Sequence, residues 1–322
     1  MGMRNFTIPT LLMLACLCPG MARAADCSLK MVNTVPMELA NNGARVFVPV
    51  IINGTPERFV LDTGGDLTQI SAAVAEELKL PSVETNIKML DLYGNASTKA
   101  VKVDTFVLGR LRDRNTTLPI STFFQNGGPV AGLLAADYMG EYDTELDFAG
   151  GKMNYFSQDH CPGNVVYWPA AAIAVVPMRL VDRHLHLDVM LDGHPFRAMI
   201  DTGATGTTLT TEEAKRVFDL SAEDADKRFE HTFQKLSFEG LEVGNPHITI
   251  IADKTGSKDP NNGYATGTRV HMQDDPLSAP PPMLIGMNIL SKLHLYIAFS
   301  EHKIYITPAS APAQPPQTAP AQ

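Results

Sequence analysis

An all-β fold of two lobes related by a pseudo-twofold axis is what this sequence predicts, and three observations carry the prediction. The chain repeats itself: residues 48–64 and 187–203 align without a gap, and each copy ends on Asp-Thr-Gly. Its apolar runs are short, β-branched and broken by Gly, Pro, Asn or Asp, the pattern of strands rather than helices. Its 322 residues, 44% hydrophobic and 19% charged, suffice for two cores at roughly 150 residues per domain.

The first residues lie outside that fold. Arg4, the apolar run 11–15 and Ala22-Arg23-Ala24 have the layout of a secretory signal peptide over 1–24. A lipoprotein anchor on Cys16 is the rival reading, for which Met13-Leu14-Ala15 is a poor lipobox. No second apolar run approaches the ~18 residues of a membrane-spanning helix. A periplasmic or secreted protein, with no membrane partner once the signal is removed, is therefore expected. Cys16 and Cys18 leave with the signal. Cys27 and Cys161 remain, and an even count in an exported chain favours one disulfide between them, two unpaired thiols being the alternative. The net charge of −9 and the lack of any basic stripe exclude a nucleic-acid surface.

The lobes can be followed element by element. Val35-Pro-Met opens lobe one, and Val176-Pro-Met echoes it. Asn53-Gly54 and Asp192-Gly193 are hairpin-turn dipeptides ahead of Asp62 and Asp201. Beyond each Asp stands a hydroxyl residue, Ser71 or Thr210, followed by a helix-favouring stretch; Thr210 with Glu213 has the form of a capping box. Leu134-Ala-Ala-Asp-Tyr-Met then matches Ile285-Gly-Met-Asn-Ile-Leu, and the match runs ungapped to Phe148 and Phe299. Lobe one spans 35–156 and lobe two 175–307. Residues 157–174 read as an irregular linker, and the Ala, Pro and Gln of 308–322 as a flexible tail. Lobe two is the longer; its surplus falls in 253–282, read as disordered or as lining a cleft.

The chemistry lies in the two Asp-Thr-Gly units. Each Asp ends an apolar strand and precedes a Gly turn, so its carboxylate is held at a fixed point and backbone can approach it closely. Two carboxylates brought face to face cannot both ionise easily, and the pair keeps one proton. Such a pair hydrolyses a peptide bond without a metal: one Asp takes a proton from a water while the other hydrogen-bonds the oxyanion. Because the proton is shared, neither Asp has a fixed role. One copy alone would be a turn; two at the same register of a duplication are a site.

These motifs resemble those of aspartic peptidases of the retropepsin and pepsin type, nearest to bacterial exported retropepsin-like proteins with both lobes in one chain. The resemblance covers about 35–307. It rests on the two apolar-apolar-Asp-Thr-Gly units and on Ile285-Gly286-Met287-Asn288-Ile289-Leu290, the motif of the strand behind the active Asp. It implies the bilobal aspartic protease fold, a peptide or protein substrate, no cofactor, and catalysis by Asp62 and Asp201. It implies that Thr63 and Thr202 hydrogen-bond across the lobe junction, with Gly64 and Gly203 completing the loops. It places Asp66 against the substrate backbone, where the residues alone read as a solvated loop acid. A flap over 87–103 would close on substrate, with its tip near Tyr93 and Gly94. The matching part of lobe two, around 229–236, is shorter, so one mobile flap is expected. With both Asp residues in one chain, a monomer suffices.

The chain departs from the family in three places. Ala135 stands where a Gly is usual. Ala136 and Met287 occupy the position from which retropepsins supply an Arg to the Asp corresponding to Asp66. Gly65 and Ala204 stand where pepsins carry a hydroxyl. A catalytically silent peptide-binding protein is the alternative to an endopeptidase. His184, His186 and Asp188 share a strand face, with His194 nearby; a polar face is preferred over a metal site, and no metal is expected.

Overall fold

The computed structural model describes residues 27–90, 96–121, 130–221, 228–251 and 281–309. The signal segment, Tyr93, Gly94, most of 253–282 and most of the tail lie outside the described residues. Within them the two-lobed, mostly β fold is the one observed.

Each lobe is built on a hairpin. Arg45–Ile52 pairs antiparallel with Thr55–Asp62 and turns at Asn53-Gly54, at φ 50° and 90°. His184–Leu191 pairs with His194–Ile200 and turns at Asp192-Gly193, at 46° and 83°. Two successive left-handed residues give the turn whose twist suits the flanking strands. Arg45–Ile52 and His184–Leu191 share one burial pattern, residue for residue, so equivalent positions feed both cores.

A second strand buries the end of each hairpin. Gly132–Ala135 runs parallel to Thr55–Asp62, with Leu61 opposite Leu134 and Asp62 opposite Ala135. Met283–Ile285 does the same beside His194–Ile200, with Ile200 opposite Ile285. Leu61, Leu134, Ile200 and Ile285 are all buried, contributing about 1.5–3 kcal/mol each.

Short helices follow. Ser71 Oγ caps α1 (Ala72–Glu77), accepting the Val74 N–H at 3.2 Å. The capping box expected on α2 (Thr211–Phe218) does not form, because Thr210 makes no side-chain cap bond. Glu213 is drawn instead to Arg216, one turn on, and the acidic pair Glu212 and Glu213 meets the positive helix end as charge. The third helix, α3 (Met287–Leu290), closes the second motif.

Ser82–Leu90 and Ala96–Leu108 form the hairpin expected around 87–103. Residues 229–236 are the counterpart of its second strand alone. Phe229–Thr232 pairs with His247–Ile251, while Lys235–Phe238 pairs with Leu241–Gly244 and with Met190 and Leu191. Those are the places that Ala96–Leu108 and Leu111–Pro119 hold in lobe one. The sequence match took this one strand for the whole hairpin, lobe two having fewer residues between its helix and this strand.

The lobes meet in six antiparallel strands, in the order Met31–Pro36, Lys152–Phe156, Asp143–Asp147, Leu293–Ala298, Lys303–Pro308 and Ala174–Val181, from which the sheet runs on into His184–Leu191 of lobe two. Its seam pairs Asp143–Asp147 of lobe one with Leu293–Ala298 of lobe two. Buried Glu145 crosses it: Oε1 lies 2.8 Å from His294 Nε2, and Oε2 accepts from Asn154 Nδ2 and from the Tyr167 hydroxyl, both at 2.7 Å. Trp168 stacks on His294 with centroids 3.8 Å apart and donates to Thr307 Oγ1 at 3.1 Å. The linker is thus irregular in backbone yet fastened by its aromatic rings. Buried Asp143 accepts the Phe299 N–H at 2.9 Å and meets His160 Nε2 at 2.6 Å. Next to His160, Cys161 is joined to Cys27 by a disulfide. Among the described residues no helix is long and apolar enough to cross a membrane.

Glu145→Ala strips His294, Asn154 and Tyr167 of a common acceptor. Thermal unfolding should report a loss of about 2–4 kcal/mol, since each buried donor left without an acceptor costs about 1–3 kcal/mol. Glu38→Ala, which removes only an exposed partner of Arg58, should cost less than about 1 kcal/mol.

Candidate active site

The strands ending at Asp62 and Asp201 bring their loops together at the lobe junction. Thr63 Oγ1 donates to Ile200 O at 2.9 Å and accepts the Thr202 N–H at 3.0 Å. Thr202 Oγ1 donates to Leu61 O at 2.8 Å and accepts the Thr63 N–H at 3.0 Å. Gly64 and Gly203 are required by proximity. A Cβ on Gly64 would lie 2.4 Å from Asp201 Cγ, and one on Gly203 would lie 2.5 Å from Asp62 Cγ. Each carboxylate therefore rests on the glycine of the opposite lobe.

Both acids are buried, and burial pushes both up from the ordinary carboxylate range. Asp201 is raised well above it, with the charge of Asp62 adding to the cost of burial. Gly203 and Ala204 N–H groups offset this in part by donating to Asp201 Oδ1 at 2.8 and 3.1 Å. Asp62 Oδ1 accepts the Gly64 N–H at 3.1 Å, and the Arg45 charge also favours its ionised form.

Behind each loop lies a support that sequence reasoning missed. Thr68 donates its hydroxyl to Asp137 Oδ1 at 2.7 Å and accepts the Ala135 N–H at 3.0 Å. Thr207 does the same with Asn288 Oδ1 at 2.7 Å and the Gly286 N–H at 3.1 Å. The signal was present, since Thr68 and Thr207 stand at equal distances beyond Asp62 and Asp201. Asn288 also donates Nδ2 to His247 O at 2.8 Å, a bond closed to an ionised Asp at position 137.

The departure at Ala135 has a packing explanation. A Cβ on Gly65 would lie 3.2 Å from the Ala135 Cβ, so lobe one holds a methyl on the second motif and none on the loop. Lobe two reverses this. Ala204 carries the loop methyl, and a Cβ on Gly286 would fall 2.4 Å from Gly206 O and 2.9 Å from Ala204 O.

Asp66 is buried, which overturns its reading as a solvated loop acid. His184 Nε2, from lobe two, lies 3.0 Å from Asp66 Oδ1 and 2.9 Å from Gly64 O. Asp66, for which the second motif supplies no Arg, thus meets a side chain from the other lobe. The same fact removes His184 from a metal site. His186 is buried separately, and Asp188 is exposed and bonded to both terminal nitrogens of Arg179 at 3.0 and 2.7 Å. Among the described residues no three metal-ligating side chains converge.

The profile of the aspartyl protease family matches residues 48–138 and 187–289, which are the two hairpin-to-second-motif units. Among solved structures, an aspartic proteinase from Irpex lacteus aligns with a TM-score of 0.50 at 13% identity, over 87% of this chain and 98% of that one. Basic 7S globulin from soybean aligns with a TM-score of 0.49 at 8% identity, over 88% and 96%. No curated protein matches the chain. At 13% identity the likeness to the Irpex lacteus structure is one of fold.

The exchange of methyls between the lobes is open to a double-mutant cycle. Gly65→Ala should destabilise by about 1–3 kcal/mol through overpacking against Ala135. Adding Ala135→Gly, which recreates the arrangement of lobe two, should return more than about 0.5 kcal/mol of that in thermal or urea unfolding.

Proposed function

The chain belongs to the aspartyl protease family, and we propose that it is an endopeptidase in which Asp62 and Asp201 together activate one water. The observation that carries this reading is the reciprocal seating of each carboxylate on the glycine of the other lobe. Two buried acids so placed hold one proton between them. Asp201 Oδ2 receives no hydrogen from a described group, which leaves it open to that proton. With the pair singly protonated, the ionised carboxylate draws a proton from water, the oxygen attacks the scissile carbonyl, and the remaining acid hydrogen stabilises the oxyanion. The proton taken from water then passes to the leaving nitrogen, and the dyad returns to one proton.

Asp66 and the hairpin of Ser82–Leu90 and Ala96–Leu108 are the candidates for binding an extended peptide backbone, on the resemblance to the family. One chain supplies both acids, so a monomer is competent. The disulfide and the leader-like first residues support an exported, periplasmic or secreted location.

Asp62→Asn and Asp201→Asn should each lower kcat on a denatured protein substrate by about 10³-fold or more. The pH dependence of the wild type should be bell-shaped: activity is lost on the alkaline side as the shared proton leaves, and on the acid side as a second proton binds. A statine-type inhibitor should bind the wild type. A folded wild type that cuts nothing at any pH yet binds peptides would replace the endopeptidase reading with a binding one. Stability follows the opposite sense from activity. Because the folded pKa values are raised, the pair costs stability as pH rises above the unfolded value of about 3.9. Asp201→Asn should therefore have the higher Tm at neutral pH, and the gap should close as pH falls to that value.

A further inference from the structure

The peptide unit joining Gly64 to Gly65 has no side chain at either end. Its N–H, that of Gly65, turns back to the Asp62 carbonyl at 3.2 Å and also favours the ionised Asp62 carboxylate. Its C=O accepts from His184 Nε2 at 2.9 Å. Glycine has the widest backbone freedom of any residue, so two in succession leave this plane weakly held by its own chain. Lobe two is built differently: Gly203 is followed by Ala204, whose N–H donates directly to Asp201 at 3.1 Å.

We propose that His184 is a positioning residue, which fixes the Gly64–Gly65 peptide from the opposite lobe and so keeps the Gly65 amide on Asp62. The kinetic part of this inference rests on the dyad reading above. Both neighbours of Nε2, Gly64 O and Asp66 Oδ1, are acceptors, so Nε2 carries a hydrogen whether the ring is neutral or charged. The hold depends on that donor and not on charge. Gln, whose amide nitrogen can stand where Nε2 does, is the conservative replacement.

The test compares His184→Leu, which removes the donor, with His184→Gln, which keeps it, in the full mature chain. His184→Leu should lower kcat by about ten- to a hundredfold while KM changes less than about threefold, as expected of a reacting group set slightly out of place. His184→Gln should recover kcat to within about threefold of wild type. Hydrogen–deuterium exchange over residues 62–68 should quicken in the Leu variant and return to the wild-type rate in the Gln variant. A Leu variant with wild-type kcat and exchange overturns the inference, as does a loss that Gln does not repair. If the wild type itself cuts nothing, exchange still decides: quickening in Leu with recovery in Gln upholds the positioning role while the endopeptidase reading falls. Should His184→Leu not fold, His184→Ala is read by the same criteria.

Discussion

Two threonine hydroxyls hold this molecule to its purpose. Thr63 and Thr202 are fully buried, and each hydroxyl gives its hydrogen to the other lobe's chain before the Asp and takes one from the chain after it. Both flanks of each Asp are thereby fixed relative to the opposite lobe. Each bond is worth only about 1 kcal/mol net, but leaving such a buried group unpaired costs about 1–3 kcal/mol. The arrangement resists the repulsion that two buried carboxyls would otherwise relieve by moving apart. Everything else in the site is arranged around that fixed separation.

The two halves have kept the geometry and exchanged the means. Asp137 and Asn288 both anchor a threonine, yet Asn288 has an amide hydrogen to spend on His247 O. One lobe carries a methyl on the second motif, at Ala135, and none on the loop, while the other carries one on the loop, at Ala204, and none on the motif, where backbone oxygens leave no room for it. Backbone positions are tightly specified here, while the atoms that fill the gaps are negotiable in pairs. A departure from the family pattern at one residue is therefore informative only beside its neighbour in space.

Much of this was legible beforehand, because the duplication is local in sequence and its punctuation is chemical. Asn53-Gly54, Asp192-Gly193 and the two Asp-Thr-Gly units fix hairpins and acids by short-range rules. What stayed hidden depends on contacts between distant segments. His184 read as one of a row of polar residues, since nothing near it in sequence shows that lobe one lies above it. The capping box failed at Thr210, whose hydroxyl makes no cap bond, and Glu213 pairs with Arg216. Residues 229–236 passed for a whole hairpin because strand pairing, not residue similarity, shows that they are only its second strand. The six-stranded seam could not be foreseen, since Glu145, His294, Tyr167 and Trp168 come from three stretches of chain with no shared motif.

That seam changes what a half-molecule would be. A lobe standing alone would present Asp143–Asp147 or Leu293–Ala298 as an open strand edge, with every second amide and carbonyl searching for a mate. Joined, each lobe covers the other's edge. The outermost strand on the lobe-one side, Met31–Pro36, is short, carries a register break between Met31 and Asn33 and ends in proline, features that discourage further strands from adding. The pairing thus does more than bring two acids together. It makes interior of a surface that would otherwise invite self-association.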